Sequence, residues 1–251
     1  MTGLDLVEGG YRIHLAQGPD DLEAAARLRY EVFNLELGEG LAGAEATGRD
    51  LDDFDAACDH LIVRQAATGR VVGTYRMQTM RQALAHRGFY SATEFVLDDL
   101  PVDVLTHGVE VGRACVAQAF RSRRVLLLLW KGLAAYLHAH NKRYLFGCCS
   151  LPTLDPAAGW AVAEHLRSIG AWHPTWCAAA ADGSAVPASV PFVENAPELP
   201  MLFRTYLRFG ASVCGGPVLD RAFGTTDFLV ILDRHNLTPE ATAMFFTTGV
   251  A

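Results

Sequence analysis

Hydrophobic and polar positions along this chain switch between a repeat of two and a repeat of three to four, and the switches mark out its elements. Tyr11 to Ala16 alternates and predicts a first strand. Leu22, Ala25, Ala26, Val32 and Phe33 then share one helical stripe. That helix can be capped by Asp20 or Asp21 and runs to about Leu37, where Gly38 stops it. The region from Gly38 to Asp53 has no period and reads as an acidic loop. His60 to Gln65 and Val71 to Met80 predict two strands joined by a turn over 66–69. Arg81 to Arg87 reads as helical, whereas Glu94 to Leu100 is short and ambiguous.

A strand centred on Val109 to Val116 follows, and Arg123 to His140 is apolar nearly all round, the mark of a buried helix. Tyr144 to Ser150 predicts a strand and Ala157 to Ser168 a helix ending at Gly170. This alternation predicts a βαβα unit with parallel strands. Cys177 to Pro200 is rich in Pro, Ala and Ser and reads as a loop. Leu202 to Phe209 reads as a short helix, Ser212 to Val218 and Asp227 to Asp233 as strands, and Pro239 to Phe246 as a last helix. The whole is an α/β chain with a mixed central sheet flanked by helices. One elaborated domain is expected over 11–235, with a disordered N-terminus (1–10) and a C-terminal helix and tail (236–251).

Composition narrows the functional classes. The chain has 251 residues, 51% hydrophobic and 20% charged, which suits a globular protein with a sizeable core. Its longest apolar run, Val125 to Trp130, stops at Lys131, far short of a membrane span. The first ten residues are acidic and lack the basic and apolar regions of a secretion signal, so a cytoplasmic location is expected. The six cysteines include one adjacent pair and are otherwise scattered through apolar segments, which favours reduced thiols. A formal charge of −7 argues against a nucleic-acid partner. There is no G-x-S-x-G elbow and no zinc spacing among the histidines, so neither hydrolase nor metal chemistry is expected.

The informative residues are charges inside apolar elements. Arg29 falls within the stripe of the first helix, and Arg76 within a β-branched strand that also puts Val72, Thr74 and Gln78 on its face. A buried charge without a partner is costly, so each requires an anion. Glu110 on a Val-rich strand is either a general base or one half of a buried ion pair. Glu110 and Arg113, three apart, would face opposite ways in a regular strand; a bulge at Gly112 would bring them to one side. Arg121, Arg123 and Arg124 sit where a helix begins, against its dipole, and make sense if an anion such as a phosphate docks there. Lys131, Lys142 and Arg143 extend this basic stretch toward a patch suited to an acidic partner.

Six segments in one order resemble the GNAT-fold N-acyltransferases. They are Leu28-Arg29-Tyr30-Glu31-Val32-Phe33; Asp53-Phe54-Asp55 with Cys58-Asp59-His60-Leu61; Val72-Gly73-Thr74-Tyr75-Arg76; Glu110-Val111-Gly112-Arg113 with Cys115-Val116; Tyr206 to Ala211; and Phe223 to Phe228. The branch they resemble holds ornithine acyl-ACP N-acyltransferases, the hemolysin-like acyltransferases and the N-acyl amino acid synthases, with acyl-homoserine-lactone synthases more distant. The resemblance implies transfer of a long acyl chain, with or without a 3-hydroxyl, from acyl carrier protein (ACP) to the α-amine of an amino acid. Ornithine is the first choice of acceptor, giving a lyso-ornithine lipid. Glycine or another amino acid comes next, then an autoinducer-type product, then an inactive carrier-binding module.

By the same resemblance Glu110 is the base, and Arg29, Asp55, Arg76 and Arg113 form a charged network around the acceptor. Cys115, Val116, Arg121, Arg123 and Arg124 then serve acyl-pantetheine and its carrier. Arg121 to Leu126 lacks the glycines with which CoA-using relatives wrap a diphosphate, which favours ACP over CoA as donor. No permanently bound cofactor is implied, and peripheral contact with the inner membrane surface stays open because the product is amphipathic.

Overall fold

The structure, a computed structural model, describes residues 4–121, 123–187 and 196–246; the side chains of Arg123 and of residues 244–246 are outside this set. In chain order its strands are β1 (Asp5–Glu8), β2 (Tyr11–Leu15), β3 (Asp59–Gln65), β4 (Val71–Thr79), β5 (Gly108–Val116), β6 (Tyr144–Leu151), β7 (Ser212–Asp220) and β8 (Thr225–Asp233). Its helices are α1 (Pro19–Arg29), α2 (Met80–Leu84), α3 (Val102–Thr106), α4 (Arg123–Ala139), α5 (Pro156–Ser168), α6 (Met201–Arg208) and α7 (Pro239–Phe246). The chain divides into two compact units. One comprises Met1–Arg87, Val111–Lys142 and Thr242–Ala251; the other comprises Gly88–Glu110 and Arg143–Ala241.

In the first unit, β1 to β4 form an antiparallel meander. β1 corrects the expectation of a disordered N-terminus. Gly9 and Gly10, with φ of 58° and 84°, make the tight turn that pairs Glu8 with Tyr11 and Asp5 with His14. All four β1 residues are exposed, so no hydrophobic alternation marked the strand. The first helix also starts differently from expectation. Its N-cap is Gly18 with Pro19 at the first helical position, and no side chain caps it. Asp20 and Asp21 lie inside the first turn, where they complement the helix dipole, and Asp21 accepts the Gln17 N–H at 2.9 Å. Beyond Arg29 the helix widens into a π-helical segment, Tyr30–Glu36, and ends before Gly38, whose φ is 68°.

Every residue of β4 is buried, so both faces of this strand are covered. Helix α4 covers one: Tyr75 and Trp130 have ring centroids 6.4 Å apart, and Gly73 lies against Val125. Helix α1 packs on β3 and β4, and its Arg29 shares a carboxylate with Arg76, which sets α1 over the opposite face of Thr74, Arg76 and Gln78. The α4 contact is close enough to test. A Cβ on Gly132 would stand 2.6 Å from Cδ2 of the fully buried Leu61. Gly132→Val is therefore expected to destabilise the protein by about 1–3 kcal/mol. The better helix propensity of valine recovers only about 0.5 kcal/mol of that. A fall in the urea midpoint at unchanged m-value is the expected observation.

In the second unit, Gly108, Val109 and Glu110 of β5 pair in parallel with Tyr144, Leu145 and Phe146 of β6. β6 pairs antiparallel with β8 from Tyr144↔Asp233 to Leu151↔Thr226, and β8 pairs antiparallel with β7. The sheet is thus mixed, as the strand–helix alternation predicts. Helix α5 is capped by Asp155, which accepts the Ala157 N–H at 3.0 Å. Its Gly159 packs against Thr226 and Pro217, while Phe203 of α6 meets Phe228 at a centroid distance of 5.8 Å. The periodless stretch after Cys177 is pinned by isolated bridges of Ala178 to Gly215, Ala180 to Phe95 and Ala185 to Val218. Residues 188–195 of that stretch lie outside the described residues, as does the tail beyond 246. Among the described residues no helix is long and apolar enough to cross a membrane.

Candidate active site

The charged residues that sit awkwardly in apolar elements of the first unit do find one another. Arg29 at the end of α1 grips Asp55 with both terminal nitrogens, at 2.7 and 2.9 Å, and also donates to the Asp50 carbonyl. Arg76 of β4 binds Asp52 at 2.6 Å and reaches Asp55 at 3.4 Å. Arg113 of β5 binds the other oxygen of Asp52 at 3.0 Å. Asp50 closes the circle, its Oδ1 lying 3.4 Å from Nε of Arg29 and 3.5 Å from Nε of Arg113. Three arginines and three aspartates therefore alternate in a closed, electrically neutral ring. Such a ring meets the requirement that buried charges be paired, with hydrogen bonds at Asp52 and Asp55 and longer ion pairs at the Asp50 carboxylate.

Burial opposes the charge on Asp55, but the donors and charge of Arg29, with Arg76, hold its carboxyl well below the usual carboxylate range. Burial likewise opposes the charge on Arg76, and Asp52 and Asp55 more than offset it, so its guanidinium is bound more firmly still. His60, opposite Arg76 across β3 and β4, is pushed below its ordinary value by burial. The ring is not uniformly sealed: Asp52 is 14% exposed, against 0–1% for Asp50 and Arg29. Asp52 is thus its most accessible member.

Asp50 and Asp52 escaped the sequence reading. They stand on a loop with no period, and acidic residues on a loop look solvated. Their only signal was the demand for anions made by Arg29, Arg76 and Arg113, which one aspartate cannot satisfy.

Arg113 has φ of 47°, the left-handed region, inside a strand. This is the break in alternation anticipated between Val111 and Arg113, but it falls on Arg113 rather than on Gly112. An arginine there costs about 1–3 kcal/mol, and its ion pairs with Asp50 and Asp52 hold it in place. A glycine at 113 would take the turn freely but leave the ring open.

Glu110, in the second unit, is buried on β5. Its Oε1 accepts the Ser91 N–H at 2.7 Å and its Oε2 the Tyr90 N–H at 2.9 Å. A short 3₁₀ turn, Tyr90–Thr93, presents those amides. The carboxyl is therefore fixed as an acceptor on a rigid strand.

Cys148 Sγ lies 3.6 Å from the Ser91 hydroxyl, and one ligand atom each of Cys148, Glu94 and Asp227 fall within 4.8 Å of one another. Ser150 and Thr225 donate to Asp227 at 3.1 and 2.7 Å. Burial, and then the charges of Glu94 and Asp227, push the Cys148 thiol well up.

The remaining candidates lie along β5 and the start of α4. Cys115 is buried, and burial pushes its thiol up, against any role as a nucleophile. The Val116 carbonyl accepts Nε of Arg121 at 3.2 Å, and the guanidinium of Arg121 also pairs with Glu36, at 2.7 Å for one of its nitrogens. Arg124 reaches the Gly9 carbonyl at 3.5 Å. The Arg123 side chain lies outside the described residues. Among the basic residues further on, Lys131 binds Glu8 at 2.7 Å and Arg143 binds Asp233 at 2.6 Å. Arg121, Lys131 and Arg143 of the basic stretch are thus ion-paired.

Residues 28–131, which span both ends of the ring and Glu110, match the family described as an acetyltransferase (GNAT) domain. A Brucella abortus protein named L-ornithine N(alpha)-acyltransferase is 35% identical over 246 residues, covering 89% of this chain and 84% of that one. A Rhodobacter capsulatus protein of the same name is 31% identical over 251 residues, covering 96% of each. Among solved structures, the AHL synthase LasI aligns with a TM-score of 0.50 at 14% identity, covering 96% of both chains. FeeM, an N-acyl amino acid synthase from uncultured soil microbes, gives 0.50 at 10% identity, covering 98% of this chain and 96% of that one. These two likenesses are of fold.

Proposed function

Because the chain belongs to the family of the L-ornithine N(alpha)-acyltransferases, we propose that it transfers a long acyl chain, with or without a 3-hydroxyl, from ACP to the α-amine of ornithine. The observation that carries this reading is the extent of the match, 89% of the chain at 35% identity to a protein of that name. The product would be a lyso-ornithine lipid, an amphipathic molecule that also gives the enzyme reason to touch the inner membrane surface.

The chemistry needs a neutral amine, and ornithine's is protonated at neutral pH. Glu110, oriented by the amides of Tyr90 and Ser91, takes that proton directly or through a water. The amine nitrogen then attacks the thioester carbonyl, the C–N bond forms, and collapse of the tetrahedral adduct breaks the C–S bond. The pantetheine thiolate leaves and takes up the second proton, which the nitrogen sheds on becoming an amide, while Glu110 passes the first to solvent. On the acceptor side, Arg113 would meet the α-carboxylate by trading its contact with Asp52, the ring's most exposed carboxylate.

On the donor side, Cys115 and Val116 border the acyl-pantetheine, and Arg121, Arg123 and Arg124 meet its phosphate or the acidic carrier. Arg121 would have to trade Glu36 for that anion. Changing Arg121 and Arg124 together to Ser is expected to raise KM for acyl-ACP about three- to tenfold and to flatten its salt dependence. The turnover number should hold, since rim charges act mainly on encounter. Equal damage with acyl-pantetheine would move the patch's role from the carrier surface to the phosphate.

The deciding experiment is a single-turnover assay with a long-chain 3-hydroxyacyl-ACP, the matching acyl-CoA, and a panel of ornithine, lysine, glycine and homoserine. N-acylornithine formed from acyl-ACP, identified by mass spectrometry, is the expected product. Preference for acyl-CoA would overturn the donor assignment, preference for another amino acid would overturn the acceptor, and no transfer at all would leave a binding module.

A further inference from the structure

The polar side chains on the ring face of β4 are satisfied, with one exception. Thr74 donates to the Leu61 carbonyl at 3.0 Å, and Arg76 is held by Asp52 and Asp55. Thr79, next in line, closes a capping box with Gln82, whose amide donates to Asp59 at 3.0 Å. Between them stands Gln78, 1% exposed, and among the described residues neither its Oε1 nor its Nε2 has a hydrogen-bond partner. Buried polar groups in native proteins are nearly always paired, so a carboxamide left idle at both ends calls for an explanation.

The setting supplies one. Strand alternation puts Gln78 on the same face as Arg76, one pleat further along. Directly opposite Arg76, His60 bonds the Asp55 carbonyl through Nε2 at 3.1 Å. A carbonyl only accepts, so Nε2 carries the proton and Nδ1 is an acceptor, and Nδ1 too has no partner among the described residues. His60 and Gln78 are diagonal neighbours on paired strands, within reach of one small molecule. The neighbouring ring is already neutral, so a lone charge would be penalised there, whereas an ammonium and a carboxylate held side by side would not. Two donors on Gln78 Nε2 suit a carboxylate, and the acceptors Gln78 Oε1 and His60 Nδ1 suit an ammonium. The amide hangs on rotatable bonds from a backbone pinned by the capping box, so it can turn to meet a guest without moving the strand.

We infer that Gln78 is a specificity-determining residue whose carboxamide binds the amino-acid acceptor. This rests on the proposed acyl transfer and adds to it the residue that reads the acceptor's head group. The test is Gln78→Met, which keeps length and volume and removes both polar ends, assayed with L-ornithine and a long-chain 3-hydroxyacyl-ACP. KM for ornithine should rise about tenfold or more. The turnover number at saturating ornithine, and KM for acyl-ACP, should stay within about threefold, and thermal stability should hold or improve because an idle buried amide has gone.

An ornithine KM within twofold of the parent would overturn the inference, as would a rise confined to acyl-ACP, which would assign Gln78 to the donor. Should the Met variant fold poorly, Gln78→Asn retains the amide one methylene short and should still raise the ornithine KM; an unchanged KM there would equally overturn it. If the parent enzyme uses a different amino acid, the ornithine assignment falls on its own, and the same KM comparison made with that amino acid decides the role of Gln78.

Discussion

Glu110→Gln is expected to lower the turnover number by about 10²- to 10⁴-fold, the usual worth of a positioned general base. The KM values for acyl-ACP and acceptor should change little, because the glutamine side chain keeps the shape of the site. The acid-side limb of the pH–rate profile should also disappear, since the group whose ionised form is needed has gone. The structural cost is small. One of the two backbone amides now aimed at Glu110, those of Tyr90 and Ser91, would face an NH₂ group in place of an oxygen. Losing that bond costs about 1–3 kcal/mol.

The same two amides define the competing explanation, in which Glu110 only anchors the turn that carries Tyr90 and Ser91. A purely anchoring carboxylate predicts a lower melting temperature with the turnover number and its pH profile intact. The amide contact is weakened under both explanations, so the turnover number and its pH profile are what separate them.

The long elements were legible because burial writes a period into the sequence. Helix α4 and strands β3, β4, β6 and β8 fall within about two residues of their expected bounds. Strand β1 was not, because an exposed strand made by a Gly-Gly turn carries no apolar alternation. The charged network was legible in its arginines, since a cation amid apolar residues is conspicuous. It was illegible in Asp50 and Asp52, whose loop gives no hint of burial. Asp50 is nevertheless fully buried.

Glu110 was visible as a misplaced acid, while its partners are backbone amides, which leave no trace in side-chain identity. The break in β5 was foreseen in place but assigned to the residue with the freer backbone. Arg113 takes the strained conformation because only an arginine there can reach both aspartates. Arg121 shows the opposite limit: its partner Glu36 is 85 residues away, a distance at which no local pattern can reveal a pairing.

Replacing Arg29 with Met is expected to cost about 3–5 kcal/mol at pH 7, the penalty for removing one partner from a buried ion pair. Methionine fills much of the arginine's volume, so the loss reports charge and hydrogen bonding more than a cavity. Asp55 would keep Arg76 at 3.4 Å but lose both Arg29 contacts, and Asp50 would lose a donor to its carbonyl. For a chain of this size the melting temperature should fall by about 2–4 °C for each kcal/mol.

The pH dependence identifies the cause. In the parent the folded carboxyl of Asp55 sits below its unfolded value, so its stabilisation is present above a pH of about 3.9 and is lost as pH falls through the folded value. The parent should therefore lose about 1.4 kcal/mol from this group for each pH unit below 3.9. In the Arg29→Met variant burial acts on Asp55 with far less opposition, and protonation relieves the penalty. The stability gap between the two proteins should consequently narrow from pH 7 to pH 3, measured from urea midpoints at each pH. A gap that stays constant would show that the variant suffers from packing alone and that Asp55 does not owe its charge to Arg29. Pairing Arg29→Met with Asp55→Leu should recover part of the loss at pH 7, because the orphaned acid is then gone as well.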